Sequence, residues 1–333
     1  MQNPPEREGH RENGASGSMY PVATRKGTPM ANRYRYLHLD VFTGRKFGGN
    51  QLAVFLDARG LTTEDMQTLT REMNFSESTF ILPRERDDTD IRMRIFTPGR
   101  EMPMAGHPTV GSTFALAIEG VIPAGQRRWV FGLNVGPTQV DIDWDGSRPT
   151  FAWMTQKPPV FGKIVTDIDA AARAIGVDPA AIRDTGAPVQ EVSCGVPFVF
   201  FPLATRAAVD AARANLDVFG DLCRASGVDD HAMFVFSPEP GADGATVYSR
   251  MFAPGLGVAE DPATGAASGP LGCYLVRHGI VPASDAARIR SYQGVKMGRP
   301  SWVHIAIGVD GSAITRVQVG GEAMLVGEGY VEV

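Results

Sequence analysis

The chain has 333 residues, 43% of them hydrophobic, with 32 Lys and Arg against 37 Asp and Glu and a net charge of -5. That length has room for two domains with separate cores. The charge balance, with no basic cluster, argues against nucleic acid as a partner, and no apolar run approaches the roughly 18 residues of a membrane span. Three cysteines, Cys194, Cys223 and Cys273, are far apart and show no metal-ligand spacing. An odd, sparse set fits a reducing, cytoplasmic setting better than a disulfide framework.

Residues 1–32 carry Gly, Pro, Ser, Asn and charge and lack the apolar core of a signal peptide, so a disordered tail is expected there. Met30, and less so Met19, is a candidate start. Strands are expected over Tyr36–Phe42 and Gln51–Leu56, joined by a Gly48-Gly49-Asn50 turn. Thr62-Thr63-Glu64-Asp65 supplies a capping hydroxyl and first-turn acids for a helix running to Met73. Strands at Thr79–Leu82 and Asp90–Thr97 follow, then an apolar run from Val110 to Ile118. That run has no polar face, which describes a helix enclosed by other structure. Trp129–Leu133 and Gln139–Trp144 complete a first domain over 33–148.

The second domain, 149–333, opens with a strand at Thr150–Met154 and a helix over Asp167–Ile175. Further strands are expected at Gln190–Val192, Pro197–Leu203, Ala232–Phe236 and Ala245–Phe252, with Ala-rich helices at 206–213 and 216–226. A second enclosed helix follows, then strands at 287–292, 301–307 and 314–319, and a last strand that could return to the first domain. Pro270 leaves two options for the second enclosed helix: an irregular first turn, or a regular start near Ser268. No G-x-G-x-x-G follows a strand and no Walker sequence is present. The pattern is α+β, two similar domains whose curled sheets each wrap a central helix.

The two enclosed helices are introduced alike. Arg94-Ile95-Phe96-Thr97-Pro98 leads to Gly106-His107-Pro108-Thr109-Val110-Gly111, and Arg250-Met251-Phe252-Ala253-Pro254 leads to Glu260-Asp261-Pro262-Ala263-Thr264-Gly265-Ala266. If a pseudo-twofold axis relates the copies, their helix starts face each other across a cleft, and two N-termini with free N–H groups suit an anion such as a carboxylate. His107 and Asp261 hold equivalent places, and Glu77 lies in a Ser-punctuated turn. Each has a plainer reading: a structural turn histidine, a helix-entry aspartate, a solvated or capping glutamate. The duplication favours a site role for His107 and Asp261 together. His38 and Asp40 are read as structural, His231, His278 and His304 as surface or core residues without partners, and Arg94 and Arg250 as exposed strand-end charges.

Several segments resemble the phenazine-biosynthesis PhzF-like family: Gly49-Asn50-Gln51-Leu52-Ala53-Val54, Asn74-Phe75-Ser76-Glu77-Ser78-Thr79-Phe80, Ala105-Gly106-His107-Pro108, Glu260-Asp261-Pro262-Ala263-Thr264-Gly265 and Gln293-Gly294-Val295-Lys296-Met297-Gly298-Arg299-Pro300-Ser301. The resemblance covers about 34–333. It implies a diaminopimelate epimerase-like fold, an active site between two pseudo-symmetric domains, a homodimer, and no metal or organic cofactor. The family's catalytic Glu, His and Asp fall on Glu77, His107 and Asp261, with Ser76, Gly106, Gly265 and Ala266 as substrate-binding neighbours. The family's founding activity isomerises trans-2,3-dihydro-3-hydroxyanthranilate by moving a hydrogen from C3 to C1. On that pattern Glu77 carries the proton while His107 and Asp261 hold the substrate's amino and carboxylate groups. One departure stands out: Ala266 occupies the place of a serine in the phenazine enzyme.

Related racemases of this fold use a cysteine at each helix start. Here Gly106-His107 and Gly265-Ala266 stand there instead, which removes the two-thiol chemistry. Two other readings remain: an isomerase or epimerase of a different small carboxylate, and a non-catalytic ligand-binding protein that keeps the fold.

Overall fold

The computed structural model describes residues 32–228 and 232–333; residues 1–31 of the expected tail, and His231, lie outside them. The first copy runs β1 (Arg33–Val41), β2 (Asn50–Phe55), α1 (Thr63–Met73), β3 (Glu77–Leu82), β4 (Ile91–Phe96), β5 (Glu101–Met102), α2 (Gly106–Ile118), β6 (Arg128–Leu133), β7 (Gly136–Asp145) and β8 (Arg148–Thr155). The second runs β9 (Val160–Val165), α3 (Ile168–Ile175), α4 (Ala180–Arg183), β10 (Val189–Ser193), β11 (Pro197–Pro202), α5 (Arg206–Ala211), α6 (Leu216–Ser226), β12 (Met233–Ser237), β13 (Val247–Ala253), β14 (Val258–Asp261), α7 (Gly265–Arg277), β15 (Ile289–Gln293), β16 (Ser301–Asp310), β17 (Ala313–Gly321) and β18 (Ala323–Glu332).

Strand pairing repeats step for step. In the first copy β1–β2 is antiparallel, β2–β3 parallel, β3–β4 and β4–β5 antiparallel, β4–β6 parallel, and β6–β7 and β7–β8 antiparallel. The same sequence of relations links β10 through β17. Antiparallel pairing of β8 with β17 joins the copies, and β18 returns to lie against β1 while β9 lies against β10.

Each central helix is small-residue-rich because sheet crowds it on several sides. Every residue of α2 from Gly106 to Ala117 is buried, and a Cβ on Gly111 would come within 2.6 Å of Leu52 and Val41 side-chain atoms. In α7 a Cβ on Gly272 would meet Ile305 at 2.5 Å. One continuous apolar cluster surrounds both helices. A second lies under α3 and α6, and a third under α1.

Local signals held where they were strongest. Thr62 caps α1, accepting from Asp65 N while the Asp65 carboxylate accepts from Thr62 N, and Asp167 caps α3. The first of the two options for Pro270 is the one found. α7 starts at Gly265 with a tightened turn, Ala267 N donating to Thr264 O at 3.2 Å, and Pro270 sits inside the helix.

Three readings of single residues are corrected. Arg94 and Arg250 are not exposed strand-end charges. Arg94 on β4 makes a two-pronged pair with Glu101 on β5 (2.8 and 2.6 Å), and Arg250 on β13 makes the equivalent pair with Glu260 on β14 (2.8 and 2.9 Å). Strand alternation gives the face a side chain takes but not what the adjoining strand brings to it. His278 has a partner, its Nε2 standing 2.8 Å from Gln190 Oε1 with the ring against Tyr274. His304 packs edge-on to Phe151, His38 stacks on Phe75, and buried Asp40 accepts from Phe47 N.

Candidate active site

The starts of α2 and α7 meet backbone to backbone. A Cβ on Gly106 would fall 2.4 Å from the Cα and carbonyl carbon of Gly265, and one on Gly265 would fall 2.8 Å from Gly106 Cα. Glycine at both positions is what lets the two helices approach this closely. No side chain caps the first turn of either helix, so two sets of N–H groups and two positive dipole ends converge.

Around this contact lies a narrow cleft of about 40 Å³. Glu77, His107, Asp261, Thr97 and Thr264 form its polar side; Met102, Met104, Val196, Phe198, Met251 and Val258 form its apolar side. Gly106, Gly265 and Ala266 line it as well. Glu77 opens β3 and keeps 15% of its side chain exposed, with Oε2 3.5 Å from Nδ1 of His107, which is only 2% exposed. Ser76 is not brought to this cleft. It hydrogen-bonds Asp261 and lines a separate groove with Gln51, Asn74 and Glu260.

The three titratable groups are displaced in ways that fit one another. Burial, and then the negative charge of Asp261, holds the Glu77 carboxyl well above its ordinary range. Burial raises Asp261 to about 6, against the lowering effect of hydrogen bonds from Thr264, Ser76 and Asn50. Burial lowers His107 to about 3, against a backbone hydrogen bond with Gln51, so its imidazole is neutral at ordinary pH. The site therefore holds a neutral histidine and two crowded carboxyls that resist ionising together.

Two amides organise the groups. Asn50, the first residue of β2, places its Nδ2 2.7 Å from Asp261 Oδ1, 2.9 Å from Ala263 O and 3.1 Å from His107 Nδ1. It is the direct tie between the histidine of one copy and the aspartate of the other. Gln293, fully buried at the end of β15, donates to Asp261 O (2.8 Å) and Thr264 Oγ1 (2.9 Å) and accepts from Thr264 N (3.1 Å). Thr264 in turn donates to Asp261 Oδ2 at 2.6 Å. Sequence reasoning gave none of these three a role. Asn50 and Gln293 did stand in the recognised segments, each beside a glycine at a strand end, and a polar amide there was the available signal. Among the described residues no group of three or more His, Cys, Asp or Glu side chains is placed to hold a metal ion.

Sheet-wrapped helices in two matching copies, meeting at their bare N-termini, define an epimerase-like protein. The family profile of phenazine biosynthesis-like protein (PhzC-PhzF) matches residues 39–329, and the chain belongs to that family. It is 34% identical over 296 residues to a trans-2,3-dihydro-3-hydroxyanthranilate isomerase of Pseudomonas aeruginosa, covering 89% of this chain and 98% of that one. It is 35% identical over 295 residues to an uncharacterized isomerase of Mesorhizobium japonicum, covering 88% and 97%. A PhzF-family protein of Bacillus anthracis superposes with a TM-score of 0.79 at 27% identity, over 91% of this chain and 100% of that one. A hydroxyproline epimerase from Agrobacterium vitis shares the fold, with a TM-score of 0.62 at 14% identity over 90% and 93%. The chain is an isomerase of the PhzF type.

Proposed function

We propose that the chain isomerises a small cyclic amino- or hydroxy-carboxylate such as trans-2,3-dihydro-3-hydroxyanthranilate, with Glu77 carrying the proton and no cofactor taking part. The observation behind this reading is the meeting of Glu77, His107 and Asp261 at two uncapped helix starts. The substrate carboxylate lies against the converging N–H groups, where the dipole ends favour negative charge. Glu77 in its carboxylate form takes the C3 proton, and its raised pKa lets it return the same proton to C1. Neutral His107 donates to or accepts from the substrate without adding charge, and Asp261 holds the amino group. The apolar wall excludes water while the proton is in transit. Glu77 must first be deprotonated, so activity rises with pH through its elevated pKa. We read the chain as two domains, 33–148 and 149–333, with β8, the last strand of the first copy, running beyond that boundary, and the working unit as a cytoplasmic homodimer.

Isomerisation of trans-2,3-dihydro-3-hydroxyanthranilate carrying deuterium at C3, with transfer of the label to C1 followed by NMR, tests the reading. Wild type is expected to isomerise it and Glu77→Gln to lose about 10³-fold or more of the rate. Equal rates for the two proteins would sink Glu77 as the carrier. A second substrate reading is favoured by Ala266, which gives the start of α7 a methyl where the family's phenazine enzyme has a hydroxyl. Turnover of a less polar cyclic carboxylate in preference to the anthranilate would select it.

A further inference from the structure

Arg299 lies in the second copy, yet its side chain works on the first. It follows a one-turn helix at Val295–Met297 set between Gly294 (φ 77°) and Gly298 (φ 70°), directly after Gln293. Its Nε donates to Gly49 O at 2.8 Å and its Nη2 to Gly48 O at 2.7 Å, and Nη2 also pairs with the buried Asp40 carboxylate. The other Asp40 oxygen accepts from Phe47 N at 2.6 Å. Gly49 N donates back to Pro300 O at 3.2 Å. The turn so gripped is a demanding one. Phe47 has φ 68° despite its bulk, and Gly49 has φ 65° where a Cβ would sit 2.3 Å from Val41 O. The residue that follows Gly49 is Asn50.

We propose that Arg299 is a positioning residue of the site: its planar fork locks the Gly48–Gly49 turn across the junction of the two copies and thereby fixes the Asn50 amide between His107 and Asp261. The assignment rests on the reading of His107 and Asp261 as working groups. A guanidinium suits the task because it meets two carbonyls and a carboxylate in one plane, which an ammonium cannot do. Asp40 supplies the charge that keeps the guanidinium in place.

The test compares Arg299→Met, Arg299→Lys and Asp40→Asn with wild type. In ligand-free protein, amide exchange over residues 47–51 is expected to accelerate about 10-fold or more in Arg299→Met, while α2 and α7 stay protected. Lys should restore part of the protection, and Asp40→Asn should loosen the same segment to a smaller degree. Asp261, titrated by carboxyl NMR among its charged neighbours Glu77 and Glu260 and neutral His107, should move upward as the Asn50 donor is lost. With trans-2,3-dihydro-3-hydroxyanthranilate, kcat should fall on the order of 30-fold with KM held within about threefold, since misplacement by about 1 Å can cost 10²-fold. Unchanged exchange and titration in all three variants would overturn the proposal, as would loosening spread through the whole protein. A loosened turn with unaltered kcat would also overturn it. If wild type turns over no such substrate, the proposed function alone fails, and exchange and titration still decide the role of Arg299.

Discussion

The starts of α2 and α7 occupy equivalent places in two copies of one topology, and they are built differently. The α2 start carries His107, neutral through burial; the α7 start is preceded by Asp261, a carboxylate held by Thr264, Asn50 and Ser76. Behind each stands an arginine–glutamate fork between matching strands. Arg94 remains 18% exposed, while Arg250 is 5% exposed and also donates to the carbonyls of Val209, Asp210 and Ala212 around the end of α5. The two copies share one backbone frame; the side chains facing the cleft differ. The same architecture thus presents a neutral nitrogen base from one side and an ionisable acid from the other.

The largest effect should come from breaking the contact the copies share. Alanine is the better helix former by about 1 kcal/mol, so on propensity alone Gly106→Ala and Gly265→Ala would stabilise. Sterics decide otherwise, because a Cβ at 106 meets backbone atoms of Gly265 and Ala266 that cannot rotate away. Gly106→Ala is expected to lose more than the usual 1–3 kcal/mol of an overpacked core, about 4 kcal/mol or more, in urea denaturation. Gly265→Ala, whose nearest contacts are 2.8–3.0 Å, should lose less. Equal losses would mean that the two helix starts share the strain symmetrically.

The two arginine forks sharpen the comparison at the next level. Arg250→Met should cost roughly 3–5 kcal/mol, because it strands Glu260 and frees three carbonyls in a buried setting. Arg94→Met, in a partly exposed pair, should cost about 1 kcal/mol. Chemical denaturation of both variants reads the difference directly. Similar values would show that exposure does not separate the two pairs.

These pairs also mark where sequence stopped being informative. The helix starts were legible because glycine, proline and a repeated R-x-F-x-P are local signals. Which residue meets which is not local. Asn50 meets Asp261 211 positions away, and Cys194 Sγ lies 4.0 Å from Cys273 Sγ across 79 positions, so spacing gave no hint of either contact. β9 was missed, and the last strand, β18, was given no bounds, because glycines interrupt their alternation, Gly162 in one and Gly327 and Gly329 in the other. At Gly329 the space is taken by the Tyr36 ring, 2.6 Å from where a Cβ would stand. Ser76 was expected at the cleft from the family resemblance, yet it lies in the bend before β3, where it hydrogen-bonds Asp261 and lines the neighbouring groove.

The smallest signal tests the difference in charge between the two helix starts. His107 falls from 6.5 to about 3 on folding, so the unfolded chain binds the extra proton between those values and stability rises with pH across that window. Asp261 rises from 3.8 to about 6, so here the folded chain binds the extra proton and stability falls with pH from about 4 to 6. Each slope approaches about 1.4 kcal/mol per pH unit, and between pH 4 and 6 they oppose each other. Glu77 would add a falling slope of its own, so the measurement belongs in a Glu77→Gln background, where that carboxyl no longer titrates. His38, His278 and His304 are also lowered by burial and add rising slopes, so each further variant is compared with Glu77→Gln rather than with a flat line. Relative to that background, adding Asp261→Asn should make stability climb more steeply over pH 4–6, and adding His107→Gln should make it climb less steeply or fall. Changes of slope of the same sign in the two double variants would refute the assignment of a neutral base to one start and an elevated acid to the other. Opposite changes would show that two helix starts on one backbone frame differ in charge.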